Sequence, residues 1–152
     1  MKTLIIVLLI LLPTTAHASE PKADAIVYNE AKLYEHLSEQ AQVEAVNDFI
    51  ARNTEYDYTG AYNDMISAVL LNKSMCMGYT ETARLFFDHL GITNNICFGI
   101  VDGETHTWNA VRIQKRFYYL DATFNDIGNT NIHTLTFIKR CDYMVYLYKW
   151  RY

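Results

Sequence analysis

The hydrophobic pattern of this chain changes period at Gly91, and that change limits the fold more than any other feature. Before Gly91, apolar residues recur every three or four positions; after it they alternate or gather in short β-branched and aromatic blocks. Ser38 is placed to cap a helix reaching about Asn53, with Val43, Val46, Phe49 and Ile50 at helical spacing. A second helix is predicted over 61–71, carrying Ile66, Val69 and Leu70, and Asn72-Lys73-Ser74 interrupts it. A third begins at about Cys76 and runs to His89 or Leu90. Tyr79, Ala83, Phe86, Phe87 and Leu90 form its buried stripe, and Gly91 suits the position just past a helix end. Segment 20–37 has no clean period and reads as an extended or loosely helical lead-in. Segment 54–60 reads as a polar, tyrosine-rich connection.

Beyond Gly91, segment 95–101 is rich enough in β-branched and aromatic residues for a strand, and Asp102-Gly103 is a hairpin turn signal. Strands are predicted over 106–113 and 117–124 with Gln114-Lys115-Arg116 turning between them, and over 134–138 and 143–148. Helices followed by antiparallel strands give an α+β class, with N-terminal helices packed on an antiparallel sheet. At 152 residues the chain suits one domain, with no internal repeat or low-complexity stretch.

The amino end is of another kind. Lys2 precedes an unbroken apolar run over 4–12, Pro13 breaks it, and Ala16-His17-Ala18 offers the small-x-small pattern of a cleavage site. A bilayer span needs about 20 apolar residues, so the run reads as a signal peptide over 1–18. Cleavage after Ala18 would leave a secreted or periplasmic product, with a lead-in over 19–37, a domain over 38–152 and no membrane attachment. A net charge of -4 gives no electrostatic footprint for nucleic acid or an anionic membrane. In an exported chain, three cysteines imply one disulfide and one free thiol, and Cys97–Cys141 is the candidate pair. Cys97 suits a plain core position equally well.

Three residues stand where chemistry is possible. Cys76 falls at a predicted helix start, where free N–H groups and the helix dipole favour thiolate over thiol. Its own N–H can donate to a developing oxyanion, and Gly78 in the same turn leaves room for a substrate carbonyl. A buried cysteine opening a core helix fits the position too. His106 opens a strand, and Asp121 closes the apolar run Phe117-Tyr118-Tyr119-Leu120, where an unpartnered carboxylate is costly. With Gln114-Lys115 as a two-residue turn, Asp121 lies opposite Trp108 and diagonal to His106, within reach of a hydrogen bond. That aspartate would fix the imidazole tautomer and stabilise its protonated form. Tyr56 or Tyr58 would complete an oxyanion hole, and Trp108 would wall a substrate groove. The histidines at 36, 89, 106 and 133 form no metal-ligand spacing. Asp121-x-Thr123-x-Asn125 lacks the glycine of a calcium loop, and no phosphate-binding loop is present, so no cofactor is expected.

Cys76-Met77-Gly78-Tyr79, His106-Thr107-Trp108-Asn109-Ala110-Val111 and Tyr118-Tyr119-Leu120-Asp121-Ala122-Thr123-Phe124-Asn125-Asp126 resemble, in order, the three motifs of the transglutaminase-like superfamily. The resemblance covers roughly 40–143. It implies a papain-like fold and a Cys76-His106-Asp121 triad working through a thioester on a protein, peptide or cell-wall-like substrate. Lys73-Ser74-Met75 and Ala122 depart from the family's common pattern, Met77 departs from that of true crosslinkers, and the acidic calcium loops of large members are lacking. Small size and Met77 point to hydrolysis rather than crosslinking. A secreted binding domain with the same fold and no catalysis is the reading of the other class.

Overall fold

The computed structural model describes residues 15–101, 103–126 and 135–137. The elements in chain order are α1 (Thr15–Lys32), α2 (Glu39–Asn53), β1 (Glu55–Tyr56), α3 (Met65–Leu70), β2 (Lys73–Ser74), α4 (Cys76–Leu90), β3 (Asn94–Val101), β4 (Glu104–Ile113), β5 (Arg116–Leu120), α5 (Ala122–Asp126) and β6 (Leu135–Phe137). The α+β class holds. Strands β3-β4-β5-β6 form an antiparallel sheet in sequence order, and α4 packs on β3 and β4 while touching every other described helix.

α4 owes that central place to its sequence. Tyr79, Ala83, Phe86 and Phe87 are fully buried along the predicted stripe, meeting Val43, Val46 and Ile50 of α2 and Val111 of β4 in one core. Removing either phenylalanine side chain would cost about 3–5 kcal/mol in transfer and cavity terms. Gly91 ends the helix in the left-handed region at φ 69°, as expected. Ser38 caps α2 by accepting from the Ala41 N–H at 3.4 Å.

The β4–β5 hairpin carries the predicted register. Ile113 pairs with Arg116, and Gln114 and Lys115 both have positive φ, at 48° and 71°, the mark of a type I′ turn. Asn109 therefore pairs with Leu120, and the next pair along would be Trp108 with Asp121. The β3–β4 turn is also two residues long, with Gly103 at φ 88°. A β-strand is present at 135–137 within the expected 134–138, whereas 143–148 lies outside the described residues.

Four expectations need correction. The expected lead-in over 20–37 is largely α1, whose buried Ala23, Val27 and Ala31 repeat every four residues. Two of the three are alanines, so the stripe carries little hydrophobic signal, yet Val27 and Ala31 belong to the core. The second helix is shorter than 61–71, because Asp64 caps it by accepting from the Ser67 N–H at 2.8 Å. The 54–60 connection contains β1, which pairs in parallel with β2, a long-range contact that no local pattern encodes. The strand expected to reach Phe124 stops at Leu120, and the chain turns into α5. Among the described residues, no helix is long and apolar enough to cross a membrane, and residues 1–14 lie outside them.

Candidate active site

Cys76 is the first residue of α4, buried at 7% exposure, with Met75 ahead of it in extended backbone. Thr80, one turn on, donates its hydroxyl to the Cys76 carbonyl at 2.8 Å and sits 3.1 Å from the Thr107 hydroxyl of β4. The 57–63 loop is tied to this helix start. The Met75 N–H donates to the Tyr62 carbonyl at 2.8 Å, and the Met77 N–H donates to Asn63 Oδ1 at 3.1 Å.

His106 lies on β4, and its Nε2 is 2.6 Å from Asp121 Oδ2. That leaves Nδ1 for the Cys76 thiol, and the two groups are coupled closely enough to shift each other's titration. Asp121 also works locally. Its Oδ1 accepts from the Phe124 N–H at 3.2 Å, and its carbonyl accepts from the Asn125 N–H at 3.1 Å, so it caps α5. Two rings stack on the imidazole: Phe124 of α5 with centroids 4.7 Å apart, and Trp108 at 5.9 Å. α5 is held from behind, by Asn125 Nδ2 donating to Asn47 Oδ1 at 2.7 Å and by the Tyr79 hydroxyl 2.6 Å from Asp126.

The electrostatics of the pair run in one direction. Burial works against a thiolate at Cys76, but hydrogen bonds from His106 and from the side chain and backbone of Thr107 outweigh it, and its pKa falls below the ordinary thiol value. Burial also works against a charged His106, but Asp121 and the Cys76 sulfur outweigh it and raise the imidazole to about 9. Each charge stabilises the other, so the pair is shifted toward thiolate with imidazolium. Cys97 contrasts with this: its thiol is free and half-buried on β3, and burial alone pushes it up to about 11. Its expected partner Cys141 lies outside the described residues.

Beside His106 opens a cleft of about 650 Å³, lined by Tyr56, Tyr58, Thr59, Gly60, Met75, Glu104, Thr105 and Phe124 among others. Its loop wall is organised by the fully buried Asp57. Asp57 accepts from the Thr59 N–H at 3.0 Å, the Thr59 hydroxyl at 2.6 Å and the Tyr62 N–H at 2.9 Å, with Lys73 Nζ 3.8 Å away. The Thr59 hydroxyl and these N–H groups outweigh burial and hold its carboxyl at about 2. Tyr56 and Tyr58 pack edge to face at 4.9 Å, and Tyr58 projects into solvent at 84% exposure.

A scan for known families finds the Transglut_core model, described as the transglutaminase-like superfamily, matching residues 25–122. The chain belongs to the transglutaminase-like superfamily. Solved structures share the fold at low sequence identity. One, described as a TGase, has a TM-score of 0.63 at 20% identity, over 84% of this chain and 37% of that one. A candidate cysteine protease of Cytophaga hutchinsonii has a TM-score of 0.58 at 19% identity, over 87% of this chain and 47% of that one. Calcium-bound LapG of Legionella pneumophila has a TM-score of 0.55 at 12% identity, over 82% and 77%. The chain thus spans less than half the length of the first two. No curated protein matches it. Within this superfamily fold, the described residues hold no group of three His, Cys, Asp or Glu side chains suited to a metal ion.

Two site expectations for this superfamily member change. Gly78 is buried, and a Cβ there would collide with the Ser74 side chain and lie 2.5 Å from the Asp64 carbonyl oxygen. Its bare backbone serves the close packing of α4 on β2 and the α3 cap, not an approaching substrate. Trp108 is buried beside His106 and does not line the cleft; the exposed ring at the imidazole is Phe124. Sequence reasoning missed Phe124, Asp57 and Thr107. Asp-x-x-Phe has the spacing of an N-cap, which would have turned Phe124 out of the strand. Asp57-x-Thr59 has the pattern of an Asx turn.

Proposed function

We propose that this member of the superfamily is a cysteine-dependent hydrolase of peptide or carboxamide bonds, with Cys76 as nucleophile, His106 as acid and base, and Asp121 as the group orienting the imidazole. The observation that carries the reading is the 2.6 Å His106–Asp121 bond, with Cys76 at the start of α4 coupled electrostatically to the same imidazole.

The steps follow from the charges. The Cys76 thiolate attacks the carbonyl carbon, and the carbonyl electron pair moves to oxygen. The Cys76 N–H at the helix start donates to that oxyanion, with Tyr56 at the cleft wall as a second candidate donor. The His106 imidazolium gives its proton to the departing amine or ammonia, leaving a thioester on Cys76 and a neutral imidazole. Water then attacks the thioester, His106 takes its proton, and collapse returns acid product and thiolate. Asp121 keeps the ring in place through both transfers without itself taking a proton.

Hydrolysis is favoured over amine transfer because Met77 rather than an aromatic ring follows the nucleophile. The substrate is a protein, a peptide or a cell-wall-like carboxamide, met outside the cytoplasm. Segment 1–18 is read as a signal peptide, and cleavage after Ala18 would remove the first four residues of α1. Incubation of the protein with a glutamine-containing peptide and a labelled primary amine tests the reaction. Ammonia release or bond cleavage should exceed amine incorporation at millimolar amine. Dominant incorporation would make the protein a transglutaminase proper, and no turnover distinguishable from Cys76→Ala would leave the binding-domain reading.

A further inference from the structure

The cleft beside His106 carries a charge asymmetry that the steps above do not use. Asp57, Glu104 and His106 are its ionisable lining residues besides two tyrosines, and no lysine or arginine lines it. Asp57 is fully buried, and both its oxygens accept hydrogen bonds from Thr59 and Tyr62. His106 is engaged with Asp121. Glu104 differs from both: it is exposed, and among the described residues it enters no ion pair. It opens β4, paired with Val101 across the hairpin. His106 stands two positions further along the same strand, so the two side chains leave the same face about 7 Å apart. A carboxylate that reaches solvent therefore stands one strand repeat from the reacting atoms. Aromatic rings supply more of the cleft: Tyr56 and Tyr58, edge to face at 4.9 Å, and the half-exposed Phe124.

We propose that the cleft selects substrates with a cationic side chain within two residues of the scissile bond, and that Glu104 is the residue that holds the cation. The inference rests on the hydrolase reading and names the substrate class for it. A lysine or arginine side chain has a long apolar stem and a charged end, which suits a cleft with rings along it and a carboxylate at its rim. The stem covers ring surface, the head pairs with Glu104, and the ring faces add cation–π attraction. An anionic side chain would meet Glu104 with no lysine or arginine in the lining to offset the repulsion. The limit of two residues follows from geometry. Side chains on one side of an extended substrate recur every 7 Å or so, the same step that separates Glu104 from His106. Because Glu104 is exposed, water and salt screen the pair. The ion pair and the ring contact are each worth a few-fold in specificity, together about tenfold.

The test is a set of glutamine-containing peptides that differ at one position within two residues of the glutamine, where arginine, leucine or glutamate is placed. Arginine is used instead of lysine so that the probe brings no amine nucleophile. Ammonia release and cleavage products are both followed by mass spectrometry, and kcat/KM is compared between peptides within each protein variant, so a general loss of turnover does not enter the ratio. At one or more positions the wild type should favour arginine over leucine about tenfold and should disfavour glutamate. Glu104→Gln should bring the arginine-to-leucine ratio to within about twofold of unity, and Glu104→Lys should turn the preference toward glutamate. Salt gives a check that needs no variant: the wild-type preference should shrink at about 1 M NaCl, where the screening length is about 3 Å. Equal turnover of arginine and leucine peptides at every position, or a preference that survives Glu104→Gln, would overturn this inference and leave the hydrolase reading intact. No turnover above that of Cys76→Ala with any peptide would overturn the hydrolase reading and this inference with it.

Discussion

The two walls of the candidate site, the packed elements behind His106 and the loop that lines the cleft, are built on different physical terms. On one side Cys76, Thr80, Thr107 and His106 sit on a helix and a strand that are buried, packed on one another and cross-linked by hydrogen bonds. On the other side Tyr56 ends β1 and Tyr58 stands on the following loop, whose order depends on one carboxylate, Asp57, and whose outermost ring is almost wholly in water. Chemistry needs reacting atoms held within tenths of an ångström, which packed elements provide. Recognition tolerates more movement and changes more readily, which suits a loop. The wall that makes and breaks bonds should therefore respond to substitution through turnover, and the loop wall through substrate affinity.

The largest effect expected is at Cys76. Cys76→Ala should abolish turnover to the assay floor, a loss of about 10⁵–10⁶-fold on the scale of other nucleophile deletions, with little change in melting temperature. Next is Asp121, where two duties can be separated. Asparagine caps a helix nearly as well as aspartate, so Asp121→Asn should keep α5 but lose about 10³–10⁴-fold in kcat. Asp121→Ala should add a stability loss of about 1 kcal/mol, read by denaturant melts. If both variants lose equally little activity, the packed wall does not govern turnover.

The pH profile sharpens the same contrast. The Cys76 pKa is lowered and that of His106 is raised to about 9, so thiolate and imidazolium coexist between them. The rate should rise on the acid side at a pH below that of a free thiol, as Cys76 loses its proton. It should fall about tenfold per unit above pH 9, as His106 loses its own. A single alkaline rise, with activity following an ordinary thiol, would break the pairing.

Loop-wall effects should be smaller and of another kind. Asp57→Asn should raise KM about tenfold with a lesser change in kcat, because the loop loosens but the triad does not. The Asp57 pKa is depressed, so its contribution to stability is complete above the ordinary carboxylate value of 3.8 and is lost as pH falls toward about 2. The acid limb of the wild-type stability curve should flatten in Asp57→Asn across that window. Tyr58→Ala, the smallest change, should leave stability within about 0.5 kcal/mol and raise KM a few-fold. A fall in kcat with unchanged KM at Tyr58 would place the tyrosine in the chemistry and erase the distinction between the walls.

The same division decides what could be read from the sequence. The packed wall was legible because it is written in local periods: the α4 stripe ending at Gly91, and a two-residue turn that sets Asp121 beside His106. The loop wall was not, because Asp57 reads as one polar residue among many until the Thr59 and Tyr62 N–H groups are seen to converge on it. α1 escaped because two of its three buried positions, Ala23 and Ala31, are alanines, which bury well and signal weakly. α5 escaped because Phe117 to Phe124 is aromatic enough for a strand, and only the capping by Asp121 ends it. Thr107 was invisible for a plainer reason: a threonine in a strand is unremarkable unless the neighbour across the packing is known.

The hairpin turn at Gln114 and Lys115 has a consequence for how this protein can change. Two non-glycine residues there occupy left-handed backbone, at φ 48° and 71°, a conformation that Asn-Gly adopts with far less strain. The turn is a spacer of fixed length between the histidine strand and the aspartate strand. A single inserted residue would shift every later side chain to the opposite face and carry Asp121 away from His106. Lineages of this protein are therefore free to exchange the two residues but not to add a third. The spacer is also a handle for engineering, since Asn-Gly in place of Gln114-Lys115 would relieve strain at a point remote in function from both walls.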